Sequence, residues 1–160
     1  MAEAGVFAGG TARLICEAKG DAPLHLFDVF ETLQPGRAAK AMSPEAREVQ
    51  SYFRSFHTPR HEVENLLRAY PEVHVHAGVF PGSTEGLEAD AFSFVHVDLD
   101  LEDGTRRALE FFHPRLLEGG ILLGDDYNDT GVRRAFDGYF AGRTERVVEL
   151  PWGQALVVKV

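Results

Sequence analysis

The sequence predicts an α/β protein built on a mainly parallel β-sheet with helices on both faces. Short apolar runs alternate with longer helical segments, and most of these runs are apolar at nearly every position, as expected for strands covered on both sides. A glycine-rich turn follows the first run and opens a helix. At 160 residues the chain has the mass for one core, so a single domain over residues 1–160 is expected.

The first half of the chain supplies three predicted strands and the helices between them. Serine or threonine before proline predicts a helix N-cap with proline at the first helical position, and this occurs at Ser43-Pro44 and Thr58-Pro59. The predicted elements are a strand in AEAGV, a helix from Gly9-Gly10-Thr11 through about Ala18, the strand LHLFD at 24–28, a helix over about 59–69 and the strand VHVH.

The second half continues the alternation and ends in a hairpin. Pro151-Trp152-Gly153 separates the last two strands, so one antiparallel strand is expected at the end of the sheet. The predicted elements are the strand FSFVHVDL at 92–99, a helix over about 104–117 that ends at Gly119-Gly120, the strand ILLG, a helix over about 130–141, and the strands ERVVEL and QALVVKV. The segments 29–44 and 77–91 are the longest connections and are expected to cover the site.

Composition and charge limit the classes of partner. The net charge is −9, with basic residues scattered along the chain, which disfavours nucleic acid and favours a small neutral or cationic ligand. No run of about 18 apolar residues is present, so no membrane span is expected. The N-terminus lacks the features of a secretory signal. The single cysteine, Cys16, is expected to be buried and suits a reducing cytoplasm.

The turn after the first strand predicts a nucleoside-binding site. Glu3, Gly5 and Gly9 form the pattern E-x-G-x-x-x-G, and Asp28 ends the second strand, where a carboxylate can accept hydrogen bonds from ribose hydroxyls. Phe7 occupies the place of the second glycine in G-x-G-x-x-G, which argues against a diphosphate. The acidic Glu3 favours a cationic ligand such as S-adenosylmethionine. A tight structural turn with a surface aspartate is the alternative.

Acidic residues follow two strands that are expected to be neighbours. The run FSFVHVDLD places His96, Asp98 and Asp100 on one side if it stays extended, and ILLGDDYND adds Asp125 and Asp126. Carboxylates at that distance repel unless a cation lies between them, and oxygen ligands favour Mg²⁺. Asp98, Asp125 and Asp126 are the predicted metal ligands. Capping of the following helices by these acids is the alternative.

Several segments together resemble the macrocin (TylF-type) O-methyltransferases. They are GVFAGGTARL, FDVFETL, GVFPGST, FSFVHVDLDLEDGT, RLLEGGILLGDDYN and GVRRAFDGYF, which occur in the family's order across almost the whole chain. The resemblance implies a Rossmann-like class I methyltransferase fold with seven strands, the last one reversed. It also implies Mg²⁺-dependent methylation of sugar hydroxyls on antibiotics, with S-adenosylmethionine as the methyl donor.

The resemblance assigns roles to individual residues. It implies cofactor contacts from Glu3, Gly5 and Gly9, ribose binding by Asp28, and Mg²⁺ ligation by Asp98, Asp125 and Asp126. Adenine contacts are implied near Gly78, Val79 and Phe80.

This chain differs from the family in two places. Relatives usually have a tyrosine where Glu102 follows DLDL, and the helices that precede their first strand, which help to join subunits into a homodimer, are expected to be missing here. The predicted reaction is in-line methyl transfer to a hydroxyl of a small-molecule sugar or diol. Asp98 is the candidate base as well as a ligand, with Asp100 and His96 as further candidates. Two alternatives are a non-catalytic or truncated cofactor-binding module and a hydroxylase on the same fold.

Overall fold

The computed structural model describes residues 1–30 and 58–160, and within them the chain forms a seven-stranded sheet. The strand order is β3-β2-β1-β4-β5-β7-β6, and β7 alone runs opposite to the other six strands. The strands are β1 (Ala2–Ala4), β2 (Leu24–Asp28), β3 (Val73–Ala77), β4 (Phe92–Val97), β5 (Leu116–Gly124), β6 (Val148–Leu150) and β7 (Gln154–Val158); the helices are α1 (Gly10–Ala18), α2 (Arg60–Leu67), α3 (Glu102–Phe112) and α4 (Thr130–Phe140).

Two hydrophobic clusters cover the two faces of the sheet. Ile15 of α1 and Val63 of α2 pack with Leu24 and Leu26 on one face. On the other face, Phe112 of α3 belongs to a larger cluster with the aromatic and aliphatic residues Phe27, Phe80, Phe92, Val95, Leu109, Leu122, Val132, Phe136 and Val157. Removal of this apolar surface from water stabilises the fold by about 25 cal/mol per Å². This is the main force that holds the helices to the sheet. The fold class predicted from the sequence is confirmed, including the reversed strand.

The predicted helix over 104–117 was wrong at its C-terminal end. Helix α3 ends at Phe112, and a short 3₁₀ turn over 113–115 leads directly into β5. Proline has no N–H to donate to the carbonyl four residues earlier, so Pro114 ends the α-helix. The glycine pair Gly119-Gly120 then lies inside β5, where the pairing shifts from Phe92–Leu116 to Phe94–Ile121. The glycines therefore mark a bulge in a strand and not a helix terminus.

Other boundaries differ from the prediction in smaller ways. Pro59 is the N-cap of α2 and makes no side-chain capping hydrogen bond, so Thr58 does not cap this helix as predicted. Strand β4 ends at Val97 and not at residue 99. The predicted helix start at Ser43-Pro44, and most of the predicted loop 29–44, lie outside the described residues. No helix in the described part of the chain is long and apolar enough to cross a membrane, and Cys16 is buried as expected.

Candidate active site

The carboxyl ends of the central strands meet at one edge of the sheet. The backbone N–H of Asp98 donates to the carbonyl of Ala4 at 2.7 Å, and the N–H of Asp125 donates to the carbonyl of Val97 at 2.9 Å. These bonds extend the strand pairing one residue beyond β4 and β5. The residues that follow both strands, and the turn that follows β1, are therefore held side by side at the edge where parallel α/β sheets bind ligands.

Three carboxylates converge at this edge. One oxygen from each of Asp98, Asp100 and Asp126 lies within 4.8 Å of the other two. We call these residues the acidic trio. The trio differs from the ligand set predicted from the sequence, because it contains Asp100 and does not contain Asp125. Three carboxylate oxygens at this separation suit a hard divalent cation such as Mg²⁺.

Two members of the acidic trio have a left-handed backbone. Asp100 has φ of 60° and Asp126 has φ of 54°, a region that costs a non-glycine residue about 1–3 kcal/mol. At Asp100 the chain turns sharply, and the N–H of Leu101 donates to the carbonyl of Leu99 at 2.6 Å. Asp100 therefore reaches the trio through a strained turn. The sequence argument, which placed it there by alternation along an extended strand, was wrong on this point.

Burial, together with the neighbouring carboxylates, raises the pKa of two acids of the trio. Burial, followed by the charge of Asp125, raises the pKa of Asp98 to about 6. Burial and a hydrogen bond with Asp126, followed by the charge of Asp98, raise the pKa of Asp100 to about 7. Asp125 thus contributes its field to the site although it lies outside the trio. Near neutral pH these carboxylates exchange protons readily, which is the property required of a general base.

Helix capping accounts for a different aspartate. Asp129 is the N-cap of α4, and its carboxylate accepts hydrogen bonds from the N–H groups of Gly131 and Val132. The N-cap of α3 is Leu101, and that helix begins without a side-chain capping bond. The capping alternative raised by the sequence thus applies to Asp129, while the acidic trio is not explained in this way.

A buried ion pair lies close to Asp98 of the trio. His96 Nδ1 is 3.0 Å from Glu3 Oε1, across the adjacent strands β4 and β1, and both side chains are buried. Burial raises the pKa of Glu3. Burial lowers the pKa of His96, but the hydrogen bond and charge of Glu3 outweigh it and raise that pKa overall. The pair therefore retains a shared proton to higher pH than either group would alone.

The burial of His96 bears on its predicted catalytic role. The residue is 3% exposed, which leaves almost no surface for a substrate to contact, and the geometry favours a positioning role. The pairing of Glu3 with His96 was not predicted from the sequence. A charged residue in each of two otherwise apolar neighbouring strands was the available signal, because buried charges require partners.

Asp28 organises the turn after β1. Its Oδ2 accepts hydrogen bonds from the N–H groups of Val6 and Phe7 at 2.8 and 2.9 Å, and its Oδ1 accepts one from Phe30. A carboxylate oxygen has two lone pairs, so Oδ1 retains the capacity for a further bond. The ribose contact predicted for Asp28 stays a prediction, and the structure adds a role in holding the glycine-rich turn.

The two glycines of the turn are required by the chain's own packing. Gly5 has φ of 90°, and a Cβ built on it would lie 1.6 Å from the carbonyl oxygen of Asp98. Gly9 has φ of 78°, and a Cβ there would lie 3.1 Å from the side chain of Leu66 in α2. Their absent side chains let the turn approach β4 and α2. The close approach of a ligand, predicted from the sequence, is not tested by these contacts.

The predicted adenine-contacting residues lie beside Asp28. The N–H of Gly78 donates to the carbonyl of Asp28 at 2.9 Å, so the ends of β2 and β3 are adjacent. Val79 is exposed, whereas Phe80 is buried and packs edge-on against Phe27 with ring centroids 5.7 Å apart. Of Gly78, Val79 and Phe80, Val79 is thus the one whose apolar side chain is accessible to a ligand. The ring of Phe80 packs in the hydrophobic core.

The connection between β6 and β7 lies at the same edge. The N–H of Tyr127 donates to the carbonyl of Gly153 at 2.6 Å, and a Cβ on Gly153 would lie 2.5 Å from the side chain of Asn128. This turn is thus fixed to the residues that directly follow Asp126. Trp152 occupies the middle of this turn.

The strand order, with one reversed strand next to β5, defines the fold of class I methyltransferases, and sequence comparison agrees. A family described as "Methyltransferase domain" matches residues 2–127. The chain belongs to this methyltransferase family. The match confirms, at the level of the family, the resemblance seen in the sequence.

Individual relatives are more distant. The chain is 28% identical over 149 residues to the 8-demethyl-8-(2,3-dimethoxy-alpha-L-rhamnosyl)-tetracenomycin-C 4'-O-methyltransferase of Streptomyces olivaceus, and the alignment covers 87% of this chain and 57% of that protein. The chain therefore spans little more than half the length of this relative.

Solved structures share the fold. The O-methyltransferase NovP superposes with a TM-score of 0.79 at 20% identity, over 100% of this chain and 71% of that chain. The calicheamicin methyltransferase CalS11 superposes with a TM-score of 0.74 at 18% identity, over 99% of this chain and 71% of that chain. At these identities the likeness concerns the fold alone.

Proposed function

We propose that the protein is an S-adenosylmethionine-dependent O-methyltransferase that methylates a sugar hydroxyl on a natural-product type of small molecule. The observation that carries this proposal is the acidic trio of Asp98, Asp100 and Asp126. It lies at the carboxyl edge of a methyltransferase-type sheet, next to the turn that follows β1. There a single site can hold a nucleoside cofactor on one side and an acceptor hydroxyl on the other.

The residues around the turn fit an adenosine-containing cofactor. Asp28 offers the remaining lone pair of Oδ1 to ribose, and the exposed Val79 beside it offers an apolar surface to adenine. The acidic residues and the net charge of −9 favour a cationic sulfonium over a diphosphate. When bound, S-adenosylmethionine would supply an activated methyl group.

The acidic trio fits Mg²⁺, with Asp98, Asp100 and Asp126 as the proposed ligands and Asp125 as a nearby negative charge. When bound, Mg²⁺ would lower the pKa of a coordinated hydroxyl and offset most of the negative charge of the trio. Mg²⁺ keeps several positions for water or substrate oxygens, so three carboxylates leave room for an acceptor. The Mg²⁺ requirement is part of the proposal.

The chain's own acids can take up the proton that the acceptor hydroxyl releases. In the metal-free protein the pKa values of Asp98 and Asp100 are about 6 and 7. Bound Mg²⁺ would lower both pKa values, so the two carboxylates would be ionised and able to accept a proton near neutral pH. Asp100 is the more exposed of the two and is the better placed to meet an incoming hydroxyl. His96 supports this edge through its bond to Glu3, and its burial leaves almost no surface for an acceptor to contact.

The acceptor class is inferred from the named relatives. The Streptomyces olivaceus protein is a 4'-O-methyltransferase of a rhamnosyl tetracenomycin, and CalS11 is described as a TDP-rhamnose 3'-O-methyltransferase. Both names specify a hydroxyl of rhamnose or a rhamnosyl group. A rhamnose-type sugar with neighbouring hydroxyls is therefore the first acceptor to test.

Calorimetry and mass spectrometry test the proposal together. We expect S-adenosylhomocysteine to bind, and a rhamnoside incubated with S-adenosylmethionine and Mg²⁺ to gain one methyl group. Chelation of Mg²⁺, or Asp126→Asn, should abolish transfer while cofactor binding persists, and the charge-matched control Asp21→Asn should remain active. Binding without transfer to any sugar or diol would favour the cofactor-binding module instead. Absence of cofactor binding would contradict the proposal.

A further inference from the structure

Trp152 is the most exposed large hydrophobic residue in the described part of the chain, at 97% of its full exposure. Single apolar side chains on a surface are common, but indole rings are mostly well buried because they contribute large apolar areas to cores. The fold gains almost no burial from this side chain. Its presence at the edge that carries the acidic trio therefore calls for a separate explanation.

The backbone at Trp152 makes tryptophan an unfavourable choice for the turn itself. Its φ is 69° and its ψ is 20°, a left-handed conformation that glycine or asparagine adopts with less strain than a bulky residue. Glycine or asparagine would therefore connect β6 to β7 with less strain. The position thus combines backbone strain with an unburied aromatic ring, and strained residues cluster where ligands are bound.

The turn is held firmly beside the acidic trio. The carbonyl of Gly153 accepts the N–H of Tyr127 at 2.6 Å, and Tyr127 directly follows Asp126. From these connections the Cα atoms of Trp152 and Asp126 lie within about 11 Å of each other. Arg133 stacks on the Tyr127 ring at 4.1 Å and pairs with Glu149 of β6 at 3.0 Å. These contacts hold the turn that carries Trp152 in place.

We propose that the Trp152 indole is a stacking platform for a planar ring that the acceptor carries next to the sugar to be methylated. This inference rests on the proposed function and extends it from the reacting sugar to the group attached to that sugar. The trio would hold the reacting hydroxyl, and the turn that carries Trp152 is close enough to Asp126 for a ring attached to the sugar to reach it. A neutral aromatic ring suits the acidic surface, and a nucleotide base would offer the same stacking face.

The chain provides a direct probe of this contact, because Trp152 is its single tryptophan. Emission excited selectively from tryptophan therefore reports on this residue alone. With S-adenosylhomocysteine and Mg²⁺ present, we would titrate phenyl rhamnoside, methyl rhamnoside and thymidine-diphospho-rhamnose. Phenyl and methyl rhamnoside differ by the planar ring alone. Thymidine-diphospho-rhamnose carries a nucleotide base in place of the phenyl ring, so it distinguishes these two sources of the planar ring.

We expect phenyl rhamnoside or the nucleotide sugar to shift or quench the emission with saturation, and methyl rhamnoside to leave it unchanged. Trp152→Ala should raise the KM of the ring-bearing acceptor about three- to tenfold. It should leave kcat and the Kd of S-adenosylhomocysteine near their original values. Trp152→Phe should recover most of the affinity, and Trp152→Asn, which suits the backbone, controls for folding of the turn.

Three results would overturn the inference. One is binding of a ring-bearing acceptor, seen by calorimetry, with no change in the tryptophan emission. Another is an unchanged KM in Trp152→Ala while methyl transfer proceeds, which would leave the proposed function intact. The last is an emission that depends on protein concentration without ligand, which would show that a second copy of the chain covers the indole. Absence of methyl transfer with every acceptor would instead contradict the proposed function itself.

Discussion

Removing one charge from the acidic trio should stabilise the metal-free protein. Asp98 and Asp100 have folded-state pKa values of about 6 and 7, above the value near 3.9 of an unfolded chain. Folding therefore favours their protonated forms. Their contribution to the free energy of unfolding is full below about pH 4 and is lost as the pH rises through 6 and 7. Asp100→Asn abolishes the larger of these two losses.

The size of the effect follows from the two shifts. One pKa unit corresponds to about 1.4 kcal/mol, but both side chains are partly exposed, and solvent screening reduces the loss to roughly 1–2 kcal/mol in total. At pH 8 without metal, Asp100→Asn should therefore raise the Tm by about 2–4 °C, the shift that about 1 kcal/mol produces in a protein of this size. At pH 4 the variant and the wild type should melt together.

Mg²⁺ should reverse the order of the two proteins. A ligand at 100 times its Kd stabilises the folded state by about 2.7 kcal/mol, so saturating Mg²⁺ at pH 8 should raise the Tm of the wild type by roughly 5–10 °C. Asp100→Asn lacks one proposed ligand and should respond much less. The assay is thermal melting followed by circular dichroism across pH 4–8, with and without Mg²⁺.

Asp21→Asn is the matched control for this experiment. Asp21 is an exposed residue of the turn between α1 and β2, so its substitution removes the same charge away from the trio. Its Tm should change little at any pH, and its response to Mg²⁺ should equal that of the wild type. The reasoning is refuted if Asp100→Asn melts lower than the wild type at pH 8 without metal. It is refuted equally if Mg²⁺ stabilises the variant and the wild type to the same extent.

Three further substitutions test other parts of the site. Asp28→Asn should weaken S-adenosylhomocysteine binding about tenfold in calorimetry, because hydrogen bonds to a charged acceptor contribute about 1.5–3 kcal/mol; an unchanged Kd would contradict the proposed ribose contact. Glu3→Ala should lower the free energy of unfolding by about 3–5 kcal/mol in urea, since it leaves His96 buried without its partner. Replacing both Glu3 and His96 by leucine should lower the free energy of unfolding by less than Glu3→Ala does. An equal loss would show that the two residues are not coupled. Gly5→Ala should yield little folded protein, because its Cβ would lie 1.6 Å from a main-chain oxygen. The control Gly10→Ala should fold normally, because no atom lies within 4 Å of its Cβ. Soluble Gly5→Ala with a wild-type Tm would disprove the close contact.

The strands could be predicted because burial on both faces leaves a simple pattern in the sequence. Runs such as LHLFD and FSFVHV are apolar or aromatic at most positions, and both form strands close to the predicted bounds. The glycine pair Gly119-Gly120 was less informative. Glycine is found both at helix ends and at strand bulges. Here the helix ends before Pro114, so the glycine pair that follows lies in a strand.

The membership of the acidic trio depended on features that residue spacing does not encode. The sequence placed acids after two neighbouring strands, and that much could be predicted from the topology. Which oxygens meet is set by the left-handed backbone at Asp100 and Asp126, and an aspartate has no pattern that marks it for this conformation. The trio therefore contains Asp100 where Asp125 was predicted.

The contact between Gly5 and Asp98 ties the two halves of the site together mechanically. The turn after β1 and the first acid after β4 touch through main-chain atoms, with no side chain between them to absorb a displacement. A shift of the turn on one side must therefore be transmitted to a proposed metal ligand on the other. Substitutions designed to change cofactor selectivity in this turn will alter the acidic edge too, and engineering of either half requires assays of both.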